Sequence, residues 1–129
     1  MTEPRRRVVI ADDDDDIRGL MVIAAGRAGV DVVAADNGRS ALDAVLAGGV
    51  DLAVLDISMP GLNGIEVAQA IRGDERTRDT LVLMISASVQ LLTDHGEVAG
   101  LSDGFIVKPF SPRVLTERIR EMLALEVTA

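Results

Sequence analysis

The chain has 129 residues, of which 48% are hydrophobic and 26% are charged, and it carries a net charge of −8 at pH 7. This composition suits one compact domain with its own core and excludes a disordered chain, while the acidic balance argues against direct nucleic-acid binding, which needs clustered Lys and Arg. The absence of cysteine excludes disulfides and thiolate metal sites, and no apolar stretch approaches the ~20 residues of a membrane span, so we expect a cytoplasmic protein without membrane insertion.

Five short apolar runs of strand length follow one another along the chain. They occupy residues 7–11, 30–35, 51–56, 81–86 and 105–107. In four of the five, the apolar residues are too continuous for a strand with one solvent-exposed face, which predicts buried parallel strands. Amphipathic stretches between and after them predict helices, and the last of these begins with Ser111 as the N-cap and Pro112 at the first helical position.

The first amphipathic stretch follows a run of five aspartates at residues 12–16. Helical spacing relates four apolar residues after the run, namely Ile17, Leu20, Met21 and Ala24. We interpret this stripe as core packing. Asp16 stands directly before the stripe and suits the helix amino terminus, where a carboxylate caps N–H groups and meets the helix dipole.

The alternation of strands and helices predicts an α/β fold, a doubly wound five-stranded parallel sheet with helices on both faces. The stretch 87–103 is the least regular part of the pattern, because its two glycines weaken any helix there. In doubly wound sheets the functional residues gather at the carboxyl ends of the strands. The candidate site should therefore lie at that edge.

Charged and hydroxyl side chains stand at four of the five predicted strand ends. They are Asp12 and Asp13 after the first strand, Asp56 at the end of the third, Ser86 at the end of the fourth and Lys108 after the fifth. Carboxylates that share a pocket repel one another by ~1 kcal/mol per pair at 4 Å even in bulk water. One lysine cannot balance three carboxylates, whereas a hard divalent cation such as Mg²⁺ can. A carboxylate beside Mg²⁺ can itself accept a phosphoryl group.

Four segments at these strand ends, in this order and spacing, resemble the receiver domain of two-component response regulators. They read ADDDDDIR, VLDISMPGLNG, LMISAS and GFIVKPF. The resemblance covers residues 6–124, so we expect a single receiver domain over residues 1–129 and no output domain. It also implies the flavodoxin-like strand order 2-1-3-4-5.

The resemblance assigns the acceptor and metal roles residue by residue. Asp56 matches the phosphoacceptor of the family. Its Mg²⁺ (or Mn²⁺) ligands would be the side chains of Asp12, Asp13 and Asp56 and the backbone carbonyl of Ser58. Lys108 matches the lysine that pairs with the phosphoryl group, and its bond to Pro109 would resemble the cis peptide of the family.

The resemblance also implies a switch. Ser86 matches the hydroxyl residue that hydrogen-bonds the phosphoryl oxygen, and Phe105 stands where a Tyr or Phe reports the switch. Because Phe lacks a hydroxyl that prefers water, we hypothesise an easier inward rotamer for Phe105, with simple core filling as the rival interpretation. Two serines would influence the rate of dephosphorylation, namely Ser58 and Ser88.

As a receiver, the chain would take a phosphoryl group from a sensor histidine kinase or a histidine phosphotransfer protein. It would signal to an unidentified downstream protein through the surface of the fourth helix, the fifth strand and the fifth helix. It would be no turnover enzyme, since it would catalyse only its own phosphorylation and dephosphorylation. We expect a monomer or a phosphorylation-dependent dimer.

Two other functions stay open from the residues. One is a pseudo-receiver or scaffold that binds partners without phosphorylation. The other is a small aspartyl-phosphate phosphohydrolase similar to haloacid-dehalogenase phosphatases, in which Asp12 and Asp14 would mimic the DxD pattern. The match to those enzymes is poor beyond these two residues, and the chain leaves no room for a substrate cap. A P-loop switch is excluded, because the sequence has no GxxxxGK[ST].

Overall fold

The computed structural model describes residues 5–88 and 98–125. Its five strands are β1 (Arg7–Ala11), β2 (Asp31–Ala35), β3 (Leu52–Asp56), β4 (Leu81–Ser86) and β5 (Gly104–Val107). The helices in these residues are α1 (Asp15–Arg27), α2 (Gly38–Leu46), α3 (Gly64–Gly73), α4 (Val98–Leu101) and α5 (Pro112–Met122). All neighbouring strands pair in parallel, in the order β2-β1-β3-β4-β5, which confirms the predicted fold class.

The helices cover both faces of the sheet, as predicted. On one face, α2 and α3 pack their apolar residues against the strands. On the other face, α1 and α5 do the same. Each strand of the sheet centre is therefore buried on both sides, which is why β3 and β4 read as continuous apolar runs.

The prediction that four of the five strands are buried is wrong, because β1, β3 and β4 are buried while β2 and β5 are not. β2 lies at the edge of the sheet and pairs with β1 alone. Three of its five residues are exposed, and Val33 has 37% of its surface accessible. Apolar β-branched residues at an edge look like those of a buried strand in the sequence, because strand order is a tertiary property.

Two predictions for α1 are also corrected. The N-cap is Asp14, whose Oδ1 accepts the N–H groups of Asp16 (2.9 Å) and Ile17 (3.0 Å), so Asp16 is a residue of the first turn and not the cap. Leu20 does not belong to the core, since 52% of its surface is exposed. The N-cap of α5 is Ser111, as predicted, with Pro112 as the first helical residue.

Within the stretch 87–103, where the sequence predicts a weak helix, the structure has the four-residue helix α4. Residues 89–97 of this stretch lie outside the described residues. Across 5–88 and 98–125, every helix is too short or too polar to cross a membrane.

Candidate functional site

The parallel register brings the predicted site residues to one edge of the sheet, here called the carboxyl edge. Asp12 follows β1 directly, and Asp56 is the last residue of β3. Ser86 ends β4, and its carbonyl accepts the backbone N–H of Lys108 at 2.7 Å. Residues that are 96 positions apart in the chain therefore meet.

Lys108, the only lysine of the chain, joins the two buried carboxylates. Its Nζ lies 3.0 Å from Asp12 Oδ2 and 3.5 Å from Asp56 Oδ2. The Asp12 side chain is fully buried and that of Asp56 is 5% exposed. Burial opposes the ammonium charge, but the hydrogen bond to Asp12 and the charges of both carboxylates prevail and raise the pKa of Lys108.

Asp56 is the most perturbed carboxyl group of the site. Burial first, and then the charge of Asp12, raise its pKa from the ordinary value of 3.8 to about 6. The ammonium of Lys108 and the backbone N–H of Ser58, which donates to the carboxylate, oppose this rise. Asp56 therefore ionises just below neutral pH, so a modest change in nearby charge changes its protonation.

The three carboxylates of Asp12, Asp13 and Asp56 are close enough to hold one ion. Each offers an oxygen, and these oxygens all lie within 4.8 Å of one another. Asp13 is exposed, so the group opens to solvent on its side. The donors are oxygens only, they carry an excess of negative charge beside one ammonium, and water can reach them, which fits Mg²⁺.

Arg18 is a second cation at this edge that the sequence analysis missed. One guanidinium nitrogen donates to the Asp12 carbonyl (3.0 Å), and another contacts Asp15 Oδ1 at 2.6 Å. The hydrogen bond to Asp15 chiefly raises the pKa of Arg18, and the charges of Asp15, Asp36 and Asp12 add to it. Its position two residues after the aspartate run, and three after Asp15, was the available signal.

The segment after β3 passes close to the backbone of Asp56. A Cβ on Gly64 would lie 2.5 Å from the Asp56 carbonyl oxygen, so only glycine fits there. Gly61 adopts a φ of +72°, which glycine tolerates without strain. Ser58 is exposed in this segment.

The segment after β4 is tied to Ser86. The Ser86 hydroxyl donates a hydrogen bond to the backbone carbonyl of Ser88 at 2.9 Å. The same hydroxyl accepts a hydrogen bond from the backbone N–H of Ser88, with a nitrogen-to-oxygen distance of 3.2 Å. The hydroxyl at the predicted site is thus bonded to the loop that leads toward residues 89–97.

Phe105 lies on β5 with 53% of its surface exposed. Core filling, one of the two interpretations of this residue, is therefore wrong. The easier inward rotamer of Phe105 stays a prediction. In this structure the ring is in the exposed position from which that inward rotation would begin. The Lys108–Pro109 peptide is cis, as the resemblance implied.

Comparison with known proteins gives the family of this fold and site. Residues 8–120 match the family described as the response regulator receiver domain. The chain belongs to this family, whose members are signalling domains of two-component systems.

Two curated relatives from Pseudomonas aeruginosa illustrate the similarity. The phosphate regulon transcriptional regulatory protein PhoB is 33% identical over 121 residues, which is 92% of this chain and 52% of PhoB. The chemotaxis protein CheY is 38% identical over 91 residues, which is 68% of this chain and 71% of CheY. The chain thus spans about half the length of PhoB.

Solved structures share the fold. The chemotaxis response regulator CheY4 of Vibrio cholerae superposes with a TM-score of 0.83 at 27% identity, covering 92% of this chain and 98% of CheY4. The response regulator TrrA of Thermotoga maritima, in complex with Mg²⁺ and BeF, gives a TM-score of 0.80 at 32% identity, covering 91% and 98%.

Proposed function

We propose that Asp56 accepts a phosphoryl group from a phosphohistidine of a sensor kinase or a histidine phosphotransfer protein, and that the phosphorylated chain is the signalling form. One observation carries this proposal. The Asp56 carboxylate lies 3.5 Å from the ammonium of Lys108, and one of its oxygens lies within 4.8 Å of carboxylate oxygens of Asp12 and Asp13. This arrangement places a nucleophile, the Asp56 carboxylate, next to the fixed positive charge of Lys108 and next to a group of carboxylates that could bind a cation.

The chemistry follows from the charges. With a pKa of about 6, Asp56 is mostly ionised at pH 7 and can attack phosphorus. A carboxylate oxygen forms the new bond to phosphorus, the bond from phosphorus to the histidine nitrogen breaks, and Lys108 stays beside the transferred group. Mg²⁺, held by Asp12, Asp13, Asp56 and the Ser58 carbonyl, would neutralise charge on the phosphoryl oxygens.

The proposed switch begins at Ser86. Its hydroxyl now donates to the Ser88 carbonyl, and donation to a phosphoryl oxygen would replace that bond. The exchange would free the loop after β4 and favour a second packing of α4, β5 and α5, with Phe105 on this surface. Ser58 and Ser88 would influence how long the acyl phosphate survives.

Intact mass spectrometry after incubation with acetyl phosphate tests the proposal. We expect one phosphoryl adduct on the unmodified chain with Mg²⁺ and on Asp79→Asn, a control that removes a distant exposed aspartate. The Asp56→Asn variant with Mg²⁺, and the wild-type chain in EDTA, should show no phosphoryl adduct. No adduct, repeated with phosphohistidine proteins as donors, would contradict the proposal and favour the scaffold. Sustained release of phosphate from p-nitrophenyl phosphate would favour a phosphohydrolase.

A further inference from the structure

The chain has two asparagines, and both stand directly before a glycine. Asn37–Gly38 begins α2 and Asn63–Gly64 begins α3, with the asparagine as the N-cap in each case. An asparagine before glycine is prone to attack by the next backbone nitrogen, because glycine has no side chain to shield that nitrogen. The two pairs therefore share one reactive sequence and one position in a helix, and they differ in the hydrogen bonds around them.

Backbone hydrogen bonds hold the Asn63–Gly64 pair on both sides. The Asn63 side-chain oxygen accepts the N–H of Glu66 (2.8 Å), and the Glu66 carboxylate accepts the N–H of Asn63 (3.0 Å). The Gly64 N–H donates to the carbonyl of Ile57 at 3.0 Å. The nitrogen that would attack the Asn63 side chain is thus already engaged, and the capping box must open before that side chain can turn.

The Asn37–Gly38 pair lacks both of these bonds. Asn37 Oδ1 accepts the N–H of Ser40 (2.8 Å), and Nδ2 donates to the exposed residues Asp36 (2.6 Å) and Ser40 (3.1 Å). Among the residues that the structure describes, neither the Asn37 N–H nor the Gly38 N–H has an acceptor, as is usual at the start of a helix. Gly38 is buried, so the first turn of α2 has to open for a reaction, but that opening breaks no bond of the attacking nitrogen.

We propose that Asn37 is a site of spontaneous deamidation in the folded chain and that Asn63 is protected. The Gly38 nitrogen loses its proton and attacks the side-chain carbonyl carbon of Asn37. A bond from that carbon to the Gly38 nitrogen forms, the bond from that carbon to Nδ2 breaks, and the side-chain nitrogen takes up a proton and leaves as ammonia. Water then opens the resulting succinimide ring at one of its two carbonyl groups, which gives aspartate or isoaspartate at position 37.

The two products have different effects on α2. Aspartate keeps the cap, because aspartate and asparagine are equally good N-cap residues. Isoaspartate lengthens the main chain by one methylene group, which moves the capping oxygen away from the Ser40 N–H. The Gly38 backbone lies so close to the Leu62 carbonyl that a Cβ would not fit, so this displacement reaches the segment after β3. The inference goes beyond the proposed function, since the reaction involves neither Asp56 nor a cation.

Ageing of the unmodified chain at pH 7.5 and 37 °C, with samples taken over several weeks, tests the proposal. Trypsin cuts after arginine and places the two asparagines in separate peptides, 28–39 and 40–72, whose masses report deamidation. We expect peptide 28–39 to deamidate roughly tenfold faster than peptide 40–72, because opening the second pair breaks two additional hydrogen bonds. The sample at time zero corrects for reaction during digestion, and labelling by an isoaspartyl methyltransferase should detect isoaspartate in peptide 28–39.

The chain unfolded in urea is the control for the sequence itself, and there both peptides should react at similar rates. Asn37→Ser keeps a capping oxygen but has no amide to lose, so it should abolish most of the deamidation of the aged chain, whereas Asn63→Ser should leave it unchanged. Circular dichroism checks that both variants are folded. Equal rates at the two positions in the folded chain, or a faster reaction at Asn63, would overturn the proposal. So would a folded chain in which neither peptide reacts, or a preference for Asn37 that persists in urea, because the fold would then not select the site.

Discussion

Asp56 occupies a position where its own negative charge destabilises the fold. Its carboxylate is nearly buried and lies in the field of Asp12, and Lys108 compensates only in part. A charge that costs stability in the resting protein is available for neutralisation by a cation or for reaction with an electrophile. The charge of Asp56 therefore lowers the stability of the metal-free protein, as expected of a carboxylate with the proposed reactive role.

We expect Asp56→Asn to stabilise the metal-free chain at pH 7.5 by roughly 3 kcal/mol, since the pKa of Asp56 is raised from 3.8 to about 6 and each unit of pKa shift corresponds to about 1.4 kcal/mol. Because the folded-state pKa is raised from 3.8 to about 6, the native state binds more protons than the unfolded chain between these values. The unmodified chain thus loses stability as pH rises through this window, and the advantage of the variant grows. Urea unfolding in EDTA at pH 5.0 and 7.5 measures the difference. An advantage that is equal at both pH values would contradict this account of the charge.

At the scale of the element, four of the five aspartates have distinct contacts or positions. Asp12 and Asp13 belong to the carboxylate group that could hold a cation, and Asp14 caps α1. Asp15 pairs with Arg18, which in turn holds the Asp12 carbonyl. The run is thus a continuous connection between the site and the first turn of α1.

We expect Asp14→Ala to destabilise the metal-free chain by about 1 kcal/mol, because two helical N–H groups lose their acceptor. Asp16→Ala is the matched control, since it removes a charge from the same turn but no cap, and it should cost only a few tenths of a kcal/mol. Urea unfolding compares the two variants. An equal or larger loss for Asp16→Ala would mean that the cap has been misassigned.

Arg72 connects three segments at the opposite end of the sheet. The Arg72 side chain is 21% exposed. Its guanidinium donates hydrogen bonds to the carboxylate of Asp103 and to three backbone carbonyls, those of Leu101, Arg78 and Thr80. Asp103 also accepts the N–H of Val82, the second residue of β4. The end of α3, the loop before β4 and the end of α4 are therefore joined by one side chain.

We expect Arg72→Ala to cost ~2–3 kcal/mol, because it leaves several partly buried acceptors without a donor. Arg76→Ala removes an exposed arginine whose carboxylate partner is adjacent, and should change stability little. Thermal and urea unfolding distinguish the two. A similar loss for both variants would contradict the role given to Arg72.

At the scale of the whole molecule, Mg²⁺ should stabilise the native chain, because the unfolded chain has no preformed group of three carboxylates. We expect saturating Mg²⁺ to raise the melting temperature of the unmodified chain and of Asp79→Asn. Asp13→Asn should lose most of this gain, since it removes a ligand without disturbing the core. An undiminished gain in Asp13→Asn would place the cation elsewhere.

Local patterns predicted the parallel α/β architecture and the residues that meet at the carboxyl edge, while the strand order came from the resemblance to the receiver family. The buried runs of β1, β3 and β4, and the polar residues that end them, can be read without knowing any contact. The exposure of β2 and Leu20 depends on which elements are neighbours, which no local pattern contains. The bonds made by Arg18 and Arg72 were missed for a related reason, since an arginine in a helix looks the same whether it faces water or several carbonyl groups.

Locating the acyl phosphate within the chain tests the central claim most directly. After incubation with acetyl phosphate and Mg²⁺, borohydride converts a phosphorylated aspartate to homoserine, which fragment mass spectrometry assigns to one position. We expect homoserine at position 56 alone. Homoserine at Asp12, Asp13 or another aspartate, with Asp56 unchanged, would contradict the account.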